Sequence, residues 1–121
     1  MKDRNIAILD RIIRHANEIN GAIIRFDVDF NKFENDYVIK NAISMCLLQI
    51  GELAGKLTDE FKIKYNKMPW RDIVSIRNRA AHDYGGVDTE VLWNIAESDI
   101  PKLKKYCVSI MDEQTLCENS E

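Results

Sequence analysis

The stretch whose reading decides the fold is Ile39 to Leu57, "IKNAISMCLLQIGELAGKL". Its apolar residues, Ile39, Ala42, Ile43, Cys46, Leu47, Ile50, Leu53, Ala54 and Leu57, fall at steps of three and four. That is the period at which side chains of an α-helix return to one face, whereas a half-buried strand needs strict alternation. The segment therefore predicts a long helix with one face in the core. Two features interrupt it: Gly51 and Gly55, one turn apart, and Glu52, the lone acid in the run. A glycine in a helix interior costs about 1 kcal/mol relative to alanine. A pair on one face predicts close packing by another backbone, with local distortion of the helix as the alternative.

Working outward, Ile6, Leu9, Ile13, Ala16 and Ile23, with Ile12 and Ile19 beside them, give a first helix from about Asn5 to Ile24. "RFDVDFNKFEND", Arg25 to Asp36, reads as a connection whose Asn and Asp residues can cap the next helix. After Leu57, "TDEFKIKYNKMP" predicts a turn or two of helix before Pro69 opens a new element running from Trp70 to about His82. Gly85 and Gly86 should stop that helix, and Asp88 or Thr89 can cap a final one bearing Leu92, Ile95, Ala96, Leu103, Tyr106, Ile110 and Met111. Pro101 should kink or restart it. No segment alternates like a strand. The expected fold is all-α, a bundle of four or five helices with antiparallel neighbours joined by short loops.

At 121 residues the chain is long enough for one core and too short for two, so residues 1–121 read as a single domain. No apolar run approaches the roughly 20 residues that span a bilayer, and "MKDRNIAILDR" carries acids where a signal peptide is apolar. These features predict a cytoplasmic protein with no membrane partner. Cys46, Cys107 and Cys117 are odd in number and lack C-x-x-C spacing, which suggests neither a disulfide framework nor a metal centre.

The unusual chemistry gathers in "SIRNRAAHDYGG", Ser75 to Gly86. On an ideal helix Trp70, Val74, Arg77, Ala81 and Tyr84 share a stripe, which would carry the Arg77 guanidinium into an inward-looking face. A desolvated guanidinium needs a carboxylate, a phosphate or an open cleft beside it. Glu52 is the leading salt-bridge partner. His82 lies five residues on, about 140° around the same helix, so the two side chains diverge unless the helix end distorts or a second copy brings another set across a two-fold axis. Arginine with histidine, lacking paired carboxylates, suits phosphodiester cleavage in RNA. The ribose 2′-hydroxyl is a built-in nucleophile, histidine can move the protons, and arginine can stabilise charge on the phosphorane. Such chemistry requires no cofactor. Lys56 to Arg79 holds seven basic and three acidic residues in a chain of net charge −3, so positive charge is concentrated near this segment.

Arg77-Asn78, three residues, then His82-Asp83-Tyr84 resembles the R-x4-H-x-Y motif of the HepT family of HEPN-domain ribonuclease toxins. "IGELAGKL", "MPWRDIVSIRNRAAHDYGGVD" and "VLWNIAESDIPKL" resemble the same family in order and spacing, leaving only the tail from about Thr115 outside. The resemblance implies a HEPN-type helical bundle and a homodimer whose paired motifs form a metal-independent endoribonuclease site. It makes Arg77 and His82 catalytic and Asn78 an assisting residue. It further implies a toxin–antitoxin pair in which an MntA-like nucleotidyltransferase antitoxin silences the toxin by transferring AMP to Tyr84. The competing reading is a HEPN module that binds RNA, nucleotide or another chain without cutting.

Overall fold

Helix α1 (Arg4–Arg25) begins where the Asp3 carboxylate accepts the Asn5 amide at 3.1 Å. It ends with Asp27 at φ 48, while the amides of Asp27 and Val28 donate to the carbonyls of Ile24 and Ile23 at 3.3 and 2.9 Å. This is a Schellman closure in which aspartate takes the left-handed position usually given to glycine. The computed structural model describes residues 3–81 and 89–119, and every element among them is helical, with no strand.

The connection after α1 is not a plain loop. Phe30–Asn35 forms a short helix, α2, capped by Asp29, whose carboxylate accepts the Lys32 amide at 2.8 Å. Its purpose in the fold is Phe33, fully buried against Trp93 with ring centroids 5.5 Å apart. Six residues are too few for a periodic pattern, so nothing in the local sequence separates this helix from a turn.

Asp36 then caps α3 (Tyr37–Gly55), accepting the amides of Val38 and Ile39. Of the stripe read from the sequence, Ile43, Leu47, Ile50, Leu53 and Ala54 are buried on it and Leu57 just beyond it, while Ile39 and Cys46 are half-buried and Ala42 is exposed. Helix α4 (Asp59–Lys64) follows Thr58, whose hydroxyl accepts the Phe61 amide. Buried Asn5 binds Thr58 twice: its Nδ2 donates to Thr58 Oγ1, and its Oδ1 accepts the Thr58 amide, both at 3.1 Å. The start of α1 is thereby pinned to the start of α4 by a reciprocal pair that satisfies both the oxygen and the nitrogen of the buried Asn5 amide.

Helix α5 (Trp70–Ala81) packs along α3, burying Trp70, Ile73 and Ile76. The Trp70 indole N–H is satisfied by the Tyr65 carbonyl at 2.8 Å. Helix α6 (Thr89–Asn94) passes through a π turn at Ile95–Asp99 into α7 (Ile100–Asn119), which lies against α1. Pro101 explains the π turn. It cannot donate to a carbonyl one turn back and its ring crowds that turn, so the helix widens and the Ile100 amide reaches the Ile95 carbonyl, five residues earlier. The positions of Gly85, Gly86 and Asp88 as stop and cap signals lie outside the described residues.

Of the two glycines on α3, only one is sterically required. A Cβ added to Gly51 would stand 2.5 Å from the Arg77 backbone nitrogen and 2.7 Å from Arg77 Cβ; at Gly55 the nearest atom is Val74 Cγ1 at 3.9 Å. Gly51→Ala should therefore push α5 off α3 and cost on the order of 1–3 kcal/mol. Gly55→Ala should be neutral or stabilise by up to about 1 kcal/mol through helix propensity. Urea unfolding of the two variants checks the contrast, and equal midpoints would refute the close approach.

Candidate active site

The seat at Gly51 decides where Arg77 stands. With the α5 backbone pressed onto α3 at that point, the Arg77 side chain leaves the helix beside Glu52, the residue next to the glycine. Arg77 Nε donates to Glu52 Oε1 at 2.5 Å, and Arg77 Nη1 donates to Asn78 Oδ1 at 3.1 Å. Among the described residues, two groups thus engage the guanidinium and fix its plane.

Glu52 is the expected partner, but the pair is not buried. The two side chains are 49% and 39% exposed. The buried stripe of α5 is Trp70, Ile73 and Ile76, with Val74 and Ala81 only half-buried beside Arg77. Arg77 sits one residue past Ile76, about 100° around the helix, at the edge of the interface with α3. No desolvation cost has to be offset there, and an exposed pair of this kind contributes about 0–1 kcal/mol. Its effect is to orient the guanidinium.

Gly51, Glu52, Gly55, Lys56, Val74, Arg77 and Asn78 line an open cleft of about 470 Å³ between α3 and α5. The missing side chain at Gly55, where a Cβ would meet only Val74 Cγ1 at 3.9 Å, leaves part of this space open, and Lys56 adds a second cation. Lys56 was not singled out in the sequence. Its signal was the i, i+4 spacing from Glu52, which places both on one face of α3 or its immediate extension. Together the cleft holds two cations and one carboxylate, an arrangement in which a phosphate can compete with Glu52 for the guanidinium. A larger depression of about 670 Å³ flanks α5 on another side, but it mixes Lys67, Arg79 and Lys102 with Asp72 and Asp99 and is lined by neither Arg77 nor Asn78. His82 and Tyr84, the remaining expected site residues, lie outside the described residues.

An apolar row leads to this cleft along α3. Val38 and Met45 are 62% and 56% exposed, and with Glu52 they stand at i, i+7 and i+14, nearly one face of the helix. Leu48 beside them is half-buried. No helix among the described residues is long and apolar enough to cross a membrane.

Comparison with known proteins places the chain among ribonucleases. The family described as "Ribonuclease HepT-like" matches residues 6–110. A candidate RNase of Methanocaldococcus jannaschii is 36% identical over 108 residues, covering 87% of this chain and 95% of its own. A second candidate RNase of that organism is 34% identical over 116 residues, or 93% of each chain. The probable ribonuclease HepT of Thermococcus cleftensis is 35% identical over 78 residues, 64% of this chain and 71% of its own. No solved structure matches.

If the Arg77–Glu52 pair orients rather than stabilises, Glu52→Gln should change the unfolding free energy by less than about 1 kcal/mol. Leu47→Ala, five residues earlier on the same helix and fully buried, should cost about 2–5 kcal/mol by leaving a cavity. Denaturant titration of both variants tests this. A loss above about 2 kcal/mol at Glu52 would mean that the pair carries the fold.

Proposed function

We propose, starting from a chain that belongs to the HepT-like ribonuclease family, that it is the toxin of a HepT/MntA-like toxin–antitoxin pair and cuts RNA through Arg77 and His82. Membership makes the chain a ribonuclease acting on RNA; the roles of single residues, the partner and the regulation are the proposal. The observation that carries it is the guanidinium of Arg77, held by Glu52 and Asn78 at the mouth of an open cleft that also contains Lys56.

In this reading a phosphodiester enters the cleft and takes its charge stabilisation from Arg77, with Lys56 adding to the field. His82 removes the 2′-hydroxyl proton or delivers one to the departing 5′-oxygen, and the adjacent ribose oxygen closes on phosphorus. Asn78 holds the guanidinium in plane, so its part is positioning. Two copies of the chain related by a two-fold axis bring the sets together, with the exposed Val38 and Met45 of each α3 buried between them. A transferred AMP on Tyr84 would add a negative charge and an adenosine to the cleft, opposing RNA by repulsion and by bulk.

The half-exposed salt bridge also fits a module that binds without cutting, so the decisive measurement is cleavage. With purified protein in EDTA, wild-type chain should cleave RNA and sediment as a dimer. Arg77→Ala and His82→Ala should each lose about 10²-fold or more while keeping their helical circular dichroism. A folded His82→Ala protein that cuts at the original rate would exclude the acid–base role, and intact RNA with the wild type would favour the binding module.

Tyr84→Phe removes only the acceptor oxygen. It should retain cleavage yet escape silencing by a cognate nucleotidyltransferase with ATP and Mg²⁺, while the wild type gains mass in AMP units at Tyr84. Adducts at Tyr37, Tyr65 or Tyr106 instead would dismiss this tyrosine as the switch.

A further inference from the structure

Away from the cleft, α1 and α3 bring together three side chains that no other part of the fold uses. His15 and Glu18 stand one turn apart on α1, and Cys46 faces them from α3. His15 Nδ1 lies 3.7 Å from Glu18 Oε2, the Cys46 thiol donates to the same oxygen at 3.6 Å, and all three ligand atoms fall within 4.8 Å of one another.

His15 Nδ1 is the one buried side-chain nitrogen or oxygen among the described residues that has no hydrogen-bond partner. At 3.7 Å the Glu18 oxygen is outside hydrogen-bond reach. Leaving such an atom unpaired costs free energy in every folded molecule, so its persistence asks for a ligand. The other two groups fit the same ligand. The Cys46 thiol already donates to the Glu18 carboxylate, so sulfur and oxygen are turned toward the same space as the imidazole nitrogen. By contrast Cys107, fully buried in the core, has no such company.

We infer that His15 Nδ1, Glu18 Oε2 and Cys46 Sγ form a zinc site that joins α1 to α3. Around a tetrahedral zinc, with ligands about 2.0–2.3 Å from the metal, ligand atoms stand roughly 3.3–3.6 Å apart. The two measured separations are already close to this, and the third side closes by side-chain rotation. Nitrogen, sulfur and carboxylate oxygen are the donor set that zinc accepts, whereas magnesium and calcium require oxygen. Glu18 is 51% exposed, which provides the entry path and room for a water as fourth ligand. On binding, Cys46 coordinates as thiolate and its proton passes to solvent. The site serves as a clip: it holds α1 to the helix that carries Gly51 and Glu52, and RNA chemistry does not pass through it. Cysteine spacing could not reveal it, because the ligands come from two helices and one is a carboxylate.

The test uses the full, tag-free chain stripped of metal and titrated with Co²⁺ as a spectroscopic stand-in. One equivalent should produce a thiolate-to-cobalt charge-transfer band and tetrahedral visible bands, both removed by Zn²⁺. Zn²⁺ should also raise the melting temperature and protect Cys46 from alkylation. Cys46→Ser should abolish the charge-transfer band, His15→Gln and Glu18→Gln should weaken binding by about tenfold or more, and Cys117→Ser should leave it intact. Absence of the band in the wild type, or its survival in folded Cys46→Ser, would overturn the site. Should Cys46→Ser fail to fold, undiminished Co²⁺ affinity in both the His15 and Glu18 variants would do the same.

Discussion

At Gly51 the backbones of α3 and α5 come so close that no side chain larger than hydrogen fits between them, and the residue on the other side of that contact is Arg77. This single steric condition sets the position of α5 along α3 and around its own axis. With the helix seated there, Trp70, Ile73 and Ile76 turn into the core and Arg77 emerges at the interface edge beside Glu52. A Cβ at position 51 would have to move backbone rather than a flexible side chain, which is why the cost falls on the whole α5 packing. The site and the fold therefore share one contact.

Electrostatics adds little stability there and much direction. The Arg77–Glu52 pair is open to solvent, so its free energy is small, but its geometry leaves a guanidinium oriented by two neighbours in an open cleft. For the proposed role of Arg77 in binding phosphate this is a useful compromise. A fully buried arginine would be held by its partner and closed to phosphate, while an unrestrained one would have to be ordered by each substrate. The local excess of positive charge from Lys56 to Arg79 lies in the segment that builds α4 and α5, while the rest of the chain is acidic. Two of these cations, Lys56 and Arg77, line the cleft, while Lys67 and Arg79 face the depression on another side of α5.

Polar contacts do the remaining positioning at the ends of helices. Asp3, Asp29, Asp36 and Thr58 each accept amides at a helix start, and Asn5 couples two of those starts through Thr58. Pro101, which interrupts the regular backbone ladder, is accommodated by a π turn. On the other side of α3 from α5, α1 contributes His15 and Glu18 toward Cys46. The central helix thus receives a steric contact on one flank and a cluster of ligand-type groups on the other.

What the sequence determined by itself was the helical class, the stripe of α3, most helix starts and the need for a backbone near the glycine pair. These are local properties: a 3.6-residue period, a capping side chain or a missing Cβ is written within a few consecutive residues. The motif around Arg77 and the likeness of its flanks to the HepT family were legible for the same reason. The burial of Arg77 was misread because steps of three and four describe two stripes on one short helix, Trp70–Val74–Arg77 and Trp70–Ile73–Ile76, and the sequence of α5 alone does not say which faces α3. Helix α2 escapes a local reading because its one buried ring, Phe33, gains its meaning only from Trp93, on a helix that follows α3, α4 and α5 in the chain. Which glycine is essential, which face of Arg77 meets Glu52, and whether His15, Glu18 and Cys46 converge depend on distances between separate helices. Only packing in three dimensions sets those distances, since each helix is free to rotate and slide until its neighbours' side chains stop it.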